Sequence, residues 1–477
     1  MMAPLSVQRA SAHWYILATL FLLLPRCAVS ILPYGLPTSC SDTPSAEPAS
    51  LSSRSEINLD ARNTLEKICQ ESAGDDPFYE TDIVILGGGL AGLALSIGIA
   101  THLPRYRVLL IEKRLDYNRA GATLGVAANG VKALNELANE ATFAQQHILC
   151  HGRDMMPIER IPVHVLPWWV VRDALLERAQ KISLSSLTDN DERQLQLWNG
   201  LDLNSLKETD DFVELGFSNT ECKIRSKMLV ATDGVRSTVR TLLGLPPAEE
   251  TGFRIWRGHV NVHDVQDKKA KASLESLLDQ GYAPFIHRDG LSYAVVFNHH
   301  ESIPGLLLWQ LGTPLQDDKD VTNFLTDNDL PKEKQEILEA LLQQTPDILY
   351  TKLSTINMDS ISDDTCSLGD DDSVAVQGWG GTSRVTLIGD AAHACRPTDG
   401  QGANMAFEDA CVLVRMLKKR FPADGLDNLE DFILQFENSR RPRVKRIHKD
   451  QAERALKQGK DWTRHSPEFM KWVYDGV

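Results

Sequence analysis

The sequence predicts an α/β fold in which a Rossmann-like lobe is interleaved with a second, mixed-sheet lobe. Three observations support this prediction: a strand–turn–helix–strand unit within residues 81–112, a strand ending at Asp233-Gly234, and a strand ending at Gly389-Asp390. Between the last two, alternating apolar runs typical of strands flank a helix with a Leu and Ile stripe. A chain of 477 residues is long enough to bury two packed layers of sheet and helix.

Composition excludes some classes of partner. The hydrophobic fraction of 42% and the charged fraction of 24% are those of an ordinary globular protein. A formal net charge of -15 gives no electrostatic reason to expect a nucleic-acid partner, because phosphate backbones attract basic surfaces. The 8 cysteines are far apart and show no spacing of a zinc site, so we expect no metal and mostly buried thiols.

The N-terminal sequence predicts a targeting segment followed by a tether. An apolar run over residues 14–24 follows Arg9 and His13, and small residues at Ala28 and Ser30 fit a signal-peptidase site. The run is shorter than the about 20 residues of a membrane span. We predict a cleaved signal peptide over residues 1–30. An uncleaved anchor or the first half of a two-part organelle signal is the alternative, which leaves an association with membranes open. Residues 31–77, rich in Ser, Pro and Thr, predict a Ser/Pro-rich tether that packs little.

The βαβ unit carries the first motif. Gly87, Gly89 and Gly92 fit GxGxxG, in which one glycine makes the turn, one admits a pyrophosphate and one lets helix and strand pack closely. The helix N-terminus stabilises the phosphate. Glu112 ends the second strand, where a carboxylate can accept hydrogen bonds from ribose hydroxyls. A glycine-rich turn without a ligand is the alternative, but strand, helix, strand and terminal acid in this order indicate an adenine dinucleotide.

Three further stretches bear on which dinucleotide binds. In residues 121–137 small residues run into a helix, which suits a loop over a flat ring better than a core strand. Residues 227–244 predict a strand and then a helix with Ser237 as N-cap. After the strand that ends at Gly389-Asp390, a glycine-rich crossing leads to an amphipathic helix from about Asn404.

In this order and spacing, GxGxxG, the DG turn and "GDAAHACRPTDGQGAN" resemble the class A flavoprotein monooxygenases, such as para-hydroxybenzoate and salicylate hydroxylases and zeaxanthin epoxidase. The resemblance covers residues 81 to about 450. It implies an FAD-binding domain interleaved with a substrate domain. The FAD-binding lobe would comprise residues 78–250, with inserted substrate-domain segments, and residues 371–420; the substrate lobe 251–370; and the C-terminal helices 421–477.

The resemblance also implies roles for individual residues. Asp390 would contact the ribityl chain of FAD, Gly402, Ala403 and Asn404 would approach the isoalloxazine and pyrophosphate, and Pro397 would lie over the flavin edge. Arg172 would reach FAD from its helix, with an ordinary solvated arginine as the alternative, and Arg257 is the candidate catalytic residue that would face the flavin. The complete set expected to contact FAD is Gly87, Gly89, Leu90, Ala91, Gly92, Glu112, Lys113, Gly121, Ala122, Arg172, Asp233, Gly389, Asp390, Pro397, Gly400, Gly402, Ala403 and Asn404.

The activity that the resemblance implies is reduction of FAD by NADH or NADPH, followed by transfer of one oxygen atom of O2 to a small-molecule substrate. NAD(P)H would bind transiently, because no second GxGxxG is present. His393 sits in an FAD-binding motif, so a role as catalytic base is the lesser alternative. A flavin-dependent prenyl-lipid reductase and a non-catalytic flavin-binding protein are the rival functions; a halogenase lacks support, because its WxWxIP stretch is absent.

The sequence does not identify the substrate. Trp256, Phe285, His287 and Trp309 fit a pocket, although aromatics at strand spacing are more often core. The six Lys and Arg of residues 440–449 fit an acidic partner, but a solvated helix face is the favoured interpretation. Because NAD(P)H is scarce outside cells, the signal segment predicts the endoplasmic reticulum, or a plastid reached through it, although the C-terminus carries no KDEL-type signal.

Overall fold

Strands and helices alternate along most of the chain, as an α/β fold requires. The computed structural model describes residues 61–71, 78–115, 123–151, 153–155, 163–185, 194–280, 282–286, 293–299, 303–314, 330–358, 379–397, 400–421, 425–455 and 466–476. The predicted signal peptide, most of the predicted tether, and Gly121, Ala122 and His287 lie outside these residues. The described end of the predicted tether corrects the expectation that it packs little, because Ala61–Glu71 is a helix whose Ala61, Leu65 and Cys69 are buried in the main core.

The boundaries of the regular elements are as follows. The strands are β1 (Phe78–Leu86), β2 (Val108–Glu112), β3 (Thr123–Val126), β4 (Arg153–Met155), β5 (Val163–Pro167), β6 (Leu195–Asn199), β7 (Leu203–Glu208), β8 (Val213–Phe217), β9 (Thr220–Ala231), β10 (Glu249–Asn261), β11 (Tyr282–Ile286), β12 (Tyr293–Asn298), β13 (Leu306–Pro314), β14 (Leu349–Thr355) and β15 (Val385–Leu387). The α-helices are α1 (Ala61–Glu71), α2 (Leu90–His102), α3 (Ala128–Leu137), α4 (Phe143–His147), α5 (Trp168–Ser185), α6 (Thr238–Leu242), α7 (Lys268–Glu275), α8 (Lys332–Gln344), α9 (Asp390–His393), α10 (Gln401–Arg420), α11 (Leu429–Ala455) and α12 (Pro467–Asp475).

A seven-stranded sheet confirms the predicted Rossmann-like lobe. Its order is β6-β2-β1-β9-β8-β7, with β15 beside β9. Strands β6, β2, β1, β9 and β15 pair in parallel, so their carboxyl ends share one edge of the sheet. The parallel strands are nearly continuous apolar runs because helices cover both faces of such a sheet.

The helices around this sheet form the main core. In α2 every residue from 91 to 100 is buried, so this helix packs on all sides rather than along one stripe. Its neighbours α3, α5 and α10 pack against it. Along the described part of the chain, no helix combines the length and apolar character needed to cross a membrane.

A five-stranded sheet forms the second lobe. The sequence predicts a mixed-sheet lobe, and the described pairings in this sheet, of order β11-β12-β13-β10-β14, are antiparallel. Helices α7 and α8 cover one face, where Trp256 and Trp309 are buried with Leu274 and Leu341. These two tryptophans are therefore core residues rather than pocket lining. The side chain of Phe285 lies outside the described part of the structure.

Residues 123–126 correct one expectation. The sequence suggests a loop here, but Thr123–Val126 forms β3 in a small sheet of order β3-β5-β4. The strand is mostly half-buried, and it pairs with the segment that enters α5. A local excess of small residues did not reveal this pairing because its partner lies about 40 residues further along the chain.

The start of α10 corrects a second expectation. The helix begins at Gln401, with Gly400 as N-cap, and not near Asn404. Asn404 is fully buried inside the first turn, where its side chain bonds backbone groups of other segments. The helix therefore starts three residues earlier than expected, and Asn404 is an internal cross-link rather than its first residue.

The basic run of residues 440–449 corrects a third expectation in part. Arg440, Arg441 and Arg443 on α11 are buried, at 1%, 6% and 7% exposure, whereas Arg446 and Lys449 are exposed as a solvated face requires. Arg446 lies over the Trp472 ring, with its guanidinium carbon 3.9 Å from the ring centroid. Carboxylates on α10 neutralise this part of the helix.

The described cysteines only partly follow expectation. Cys69 and Cys411 are buried, and burial raises the pKa of each thiol to about 12. Cys222 and Cys395 are half-buried, and Cys150 is exposed. All five are free thiols. No group of three or more His, Cys, Asp or Glu within the described residues is arranged to hold a metal ion.

Candidate functional site

The carboxyl edge of the parallel strands gathers the predicted motifs. β1 ends one residue before Gly87, β2 ends at Glu112, β9 leads into Asp233, and β15 leads into Gly389. Ligands of open α/β sheets bind in the crevice outside this edge. The tertiary structure therefore brings together stretches of sequence that span about 300 residues.

The glycine turn after β1 contains two kinds of glycine. Gly87 has φ +119°, a conformation that favours glycine, and a Cβ there would lie 2.4 Å from the carbonyl oxygen of Thr232. A Cβ on Gly92 would lie 2.0 Å from the carbonyl oxygen of Gly87, so this position serves close packing of helix on strand. A Cβ on Gly89 would meet nothing within 4 Å. Of these three positions, Gly89 alone faces open space, where a ligand can approach the backbone.

The N-terminus of α2 starts at this open space. Gly89 is its N-cap and offers no side chain to accept a hydrogen bond from the first amides. Leu90 is half-buried and Ala91 is buried, so the helix start presents backbone rather than side chains. The amides at a helix N-terminus and the helix dipole favour an anion. Thr232, which sequence reasoning missed, fixes the turn by donating its hydroxyl to the carbonyls of Leu86 and Gly87.

Glu112 cross-links two strand ends. Its Oε2 accepts a hydrogen bond from the backbone N–H of Gly88 at 2.8 Å, and its Oε1 accepts one from Arg114 at 2.9 Å. Lys113 is exposed beside it. The carboxylate is half-buried, so it both shapes the glycine turn and keeps accepting capacity toward a ligand.

Asp233 performs a local structural role at the same edge. Its Oδ2 accepts hydrogen bonds from the N–H groups of Thr238 and Val239, at 2.8 and 3.2 Å, and so caps α6. Ser237 caps the same helix by accepting from Arg240, as the sequence predicts. Burial raises the pKa of Asp233, against the lowering effect of these hydrogen bonds.

The Gly389 turn carries Asp390 into a recess. Burial raises the pKa of Asp390, a shift that His393 opposes, yet the Asp390 side chain is exposed to solvent. A carboxylate surrounded by protein but reached by solvent lines a cavity. A Cβ on Gly402 would lie 3.9 Å from Asp390 Oδ1 and 3.7 Å from Cys395 Sγ, so this wall of the cavity also has room.

The start of α10 is held by Asn404. Its Oδ1 accepts from the N–H of Ala127 at 3.0 Å, and its Nδ2 donates to the carbonyls of Gly125 and Gly400, at 2.9 and 2.6 Å. Both amide protons are thus used within the protein, and the side chain fixes β3 against the helix start. Ala403 is half-buried in the same turn. Pro397 is exposed.

His393, Asp409 and Arg440 lie behind the Gly389 turn. The Nε2 atom of His393 lies 2.6 Å from Asp409 Oδ2, and Asp409 Oδ1 accepts from Arg440 Nε at 2.7 Å. All three side chains are at most 1% exposed. Burial would raise the pKa of Asp409, but the charges of His393 and Arg440 and the hydrogen bonds it accepts hold it well below its usual range. The His393 side chain is therefore buried, and its Nε2 atom is used in a contact within the protein.

Sequence reasoning missed Asp409 and Arg440. A signal was present: the adjacent acids Glu408 and Asp409 interrupt an otherwise apolar stretch of α10, and a helix rich in arginine follows. Buried acids need positive partners, so the two features together pointed to an internal ion network.

The face of the five-stranded sheet opposite α7 and α8 carries a different set of groups. Side chains alternate along β10, so Arg257 and His259 point away from the face that α7 and α8 cover. The ring of Tyr293 lies against Gly312 on this sheet, and the charge of Arg257 acts on the Tyr293 phenol, whose pKa burial raises. Burial lowers the pKa of Arg257, and within the described residues its Nε has no hydrogen-bond partner.

Helix α5 links this face to the FAD-type motifs. Trp169 packs on Leu306 and Leu308 of β13, and its ring centroid lies 5.7 Å from that of His259. One turn later Arg172 is buried, with Nη1 3.6 Å from Asp173 Oδ1. Arg172 is therefore not an ordinary solvated arginine, which was the alternative expected from the sequence.

The residues present fit a flat dinucleotide such as FAD. The space beside the backbone at Gly89 and Gly402 is large enough that a methyl group there would meet no atom closer than 3.7 Å, and a helix N-terminus adjoins each position. The exposed Asp390 lies beside Gly402, where hydroxyl donors of a ligand can reach its carboxylate.

Comparisons with known proteins agree with this geometry. The family model described as FAD binding domain matches residues 80–451. A protein of Gibberella moniliformis named FAD-dependent monooxygenase is 24% identical over 417 residues, which cover 80% of this chain and 87% of the relative. The 3-hydroxybenzoate 6-hydroxylase of Klebsiella oxytoca is 25% identical over 396 residues, covering 76% of this chain and 85% of the relative.

Solved structures share the fold. The crystal structure of CtdE in complex with FAD and a substrate superimposes with a TM-score of 0.64 at 18% identity, covering 83% of this chain and 95% of that chain. The anhydrotetracycline hydroxylase OxyS from Streptomyces rimosus gives a TM-score of 0.53 at 18% identity, covering 83% and 72%.

Proposed function

This chain belongs to the FAD binding domain family and is a class A FAD-dependent monooxygenase, and we propose that it uses NADH or NADPH and O2 to hydroxylate or epoxidise a small aromatic or isoprenoid substrate. The observation that carries the proposal is the convergence of the Gly89 turn, Glu112 and the recess at Asp390 on one edge of the parallel sheet. The relatives' names give no support to a prenyl-lipid reductase or to a non-catalytic flavin carrier.

The chain's own residues bind and orient the cofactor. The first amides of α2, from Leu90 on, would stabilise the pyrophosphate, and Gly89 would let it approach the backbone. Glu112 would accept from the ribose hydroxyls and Asp390 from the ribityl hydroxyls. The N-terminal turn of α10, from Gln401 to Ala403, would stabilise negative charge on the cofactor.

Bound FAD would accept electrons from the nicotinamide and activate oxygen for transfer to the substrate. The protein must hold the substrate in a fixed orientation and exclude water. The face of the five-stranded sheet opposite α7 and α8 suits this task, because the aromatic side chains of Trp169, from α5, and Tyr293 lie there with the guanidinium of Arg257.

This combination favours an aromatic substrate with an anionic group over an isoprenoid hydrocarbon. A partly buried guanidinium is stabilised when it pairs with a carboxylate or phenolate, and a hydrocarbon would leave it unpaired. The relative from Klebsiella oxytoca is named for an aromatic acid, 3-hydroxybenzoate, which is consistent with this choice.

The proposal also includes residence in an NAD(P)H-containing compartment of the secretory route, the endoplasmic reticulum or a plastid reached through it. Its support is the signal-like sequence of residues 1–30 together with the need for a nicotinamide reductant.

The test is made on purified full-length protein. Its visible spectrum should show bound flavin, and NADH and NADPH oxidation should be followed across hydroxybenzoates, neutral phenols of similar size and isoprenoids. We expect the hydroxybenzoates to stimulate oxidation most and labelled oxygen from O2 to enter the product. Nicotinamide oxidation that reduces a substrate without oxygen uptake would favour the reductase, and flavin without any turnover would favour the carrier.

A further inference from the structure

Four buried charges join α10 and α11 directly behind the Gly389 turn. Glu408 and Asp409 lie on α10, Arg440 and Arg443 lie on α11, and each is at most 7% exposed. Two negative and two positive charges balance, as a buried ion network requires. The proposed function assigns no role to any of them.

The two ion pairs differ in what else they contact. Arg443 Nη2 lies 2.5 Å from Glu408 Oε1 and also donates to the carbonyl of Val473 at 2.7 Å, so this pair ties α10 and α11 to α12. Arg440 Nη2 donates to Glu408 Oε2 at 2.9 Å and so bridges the two pairs. Glu408 Oε1 also accepts from Nδ2 of Asn129 on α3 at 2.8 Å, and Asn129 donates to Gln401 at the start of α10. None of these contacts touches the Gly389 turn.

The pair of Asp409 and Arg440 contacts the turn itself, through hydrogen bonds of the Asp409 carboxylate. Asp409 Oδ2 accepts the backbone N–H of Gly389 at 3.0 Å and lies 2.6 Å from Nε2 of His393. One carboxylate oxygen thus holds both ends of the segment from Gly389 to His393, which contains the whole of α9. The other oxygen binds Arg440, which fixes the carboxylate in place.

The backbone at Gly389 needs this support. Its φ of +60° and ψ of -144° form a conformation that glycine adopts at an entropic cost. Glycine has no side chain whose contacts could stabilise this conformation. Hydrogen bonds from a backbone N–H to an ionised carboxylate are stronger than neutral ones. Asp390 is the next residue, so a rotation of the Gly389 peptide plane would displace its side chain from the recess.

We propose that Asp409 and Arg440 are positioning residues for the cofactor, because they hold the Gly389 turn and with it Asp390, whereas Glu408 and Arg443 make no contact with this turn. This inference rests on the proposed function, in which Asp390 contacts FAD. It predicts that two ion pairs of equal charge and similar burial differ in their effect on cofactor binding.

The experiment compares two charge-balanced double variants of the full chain. Asp409→Asn with Arg440→Gln removes the pair that holds the turn, and Glu408→Gln with Arg443→Gln is the matched control, which removes the pair that does not. Each variant loses one charge of each sign, so neither leaves a net unpaired charge in the core. FAD is removed, apoprotein unfolding is followed by circular dichroism, and the dissociation constant is measured by titration of flavin fluorescence.

We expect the first double variant to weaken FAD binding about tenfold or more, as loss of a charged hydrogen bond that orients a contact predicts. The control should stay within about threefold of wild type, at a similar loss of melting temperature. At saturating FAD only the first variant should change the visible spectrum of the bound flavin. Equal FAD affinities and spectra in the two double variants would overturn the inference.

If the first double variant does not fold, the single variant Asp409→Asn takes its place, since it keeps the size and one acceptor oxygen of the side chain. Wild-type affinity and spectrum in that variant would likewise overturn the inference. The proposed function fails separately, if the wild-type protein binds no FAD.

Discussion

The carboxylate of Glu112 accepts a hydrogen bond of 2.8 Å from the backbone N–H of Gly88, although 24 residues separate the two along the chain. The acid that ends the second strand therefore shapes the glycine turn that follows the first. Replacing Glu112 would disturb the turn as well as any ribose contact. The cofactor site is better tested at positions that have no second structural role in the protein.

Gly89 and Gly92 provide such a test. Alanine at Gly89 meets no atom within 4 Å and needs no unusual backbone, since its φ is -79°, so Gly89→Ala should fold like wild type. Its methyl group would fill space proposed for the pyrophosphate, and we expect FAD affinity to fall about tenfold or more. Alanine at Gly92 would place Cβ 2.0 Å from the Gly87 oxygen and should destabilise the apoprotein itself. The measurements are apoprotein melting temperature and the FAD dissociation constant; normal FAD affinity in Gly89→Ala would contradict the site.

Asp390→Ala should lower FAD retention while the fold survives. The side chain is exposed in its recess, so its removal loses an acceptor for the cofactor, at a cost of about 1–3 kcal/mol in binding. The matched control is Asp211→Ala, an exposed acid in the turn before β8, at the opposite edge of the sheet. Flavin content after gel filtration and the dissociation constant measure the effect. Undiminished flavin in Asp390→Ala would remove this residue from the proposed site.

Glu437 should make stability fall as pH rises. Burial raises its pKa from an ordinary 4.5 to about 7, although Thr386 Oγ1 and the N–H groups of Gly381 and Trp379 donate to it. Because the pKa of Glu437 is higher in the folded than in the unfolded protein, its contribution to the free energy of unfolding is complete below pH 4.5, where the carboxyl group is protonated in both states. As the pH rises to about 7, the free energy of unfolding falls by roughly 3 kcal/mol on account of this group.

Glu437→Gln cannot titrate and should therefore lose less stability than wild type between pH 5 and pH 8. The control is Glu430→Gln, an exposed acid in the first turn of the same helix, which should follow wild type. Denaturant unfolding at the two pH values measures the difference. Parallel pH dependence in wild type and Glu437→Gln would show that the carboxyl group does not titrate in this range.

The N-terminal segment should direct the chain into an internal membrane system. We expect a fluorescent fusion of residues 1–80 to mark such a system, and the mature N-terminus, read by mass spectrometry, to begin near Ile31 or beyond. A fusion that lacks residues 1–30 is the control and should lose this location. Cytosolic fluorescence with Met1 retained would reject the targeting proposal.

The sequence by itself determined the class of fold and the order of its motifs. β1, α2 and β2 follow directly from an apolar strand, a glycine turn, a helix and a second apolar strand, because these signals depend on residues only a few positions apart. The Ser237 cap and the strands β12 and β13 of the second lobe were predicted for the same reason.

Only the tertiary structure decided what individual polar groups do. Asn404 cross-links backbone segments, Asp409 grips the Gly389 turn, and Arg440 is buried rather than solvated. In each case the partner lies on another element, up to about 280 residues away, and nothing local to the residue specifies it. Periodicity reports which residues share a helix face, whereas burial, and hence the need of a charge for a partner, depends on which element packs against that face.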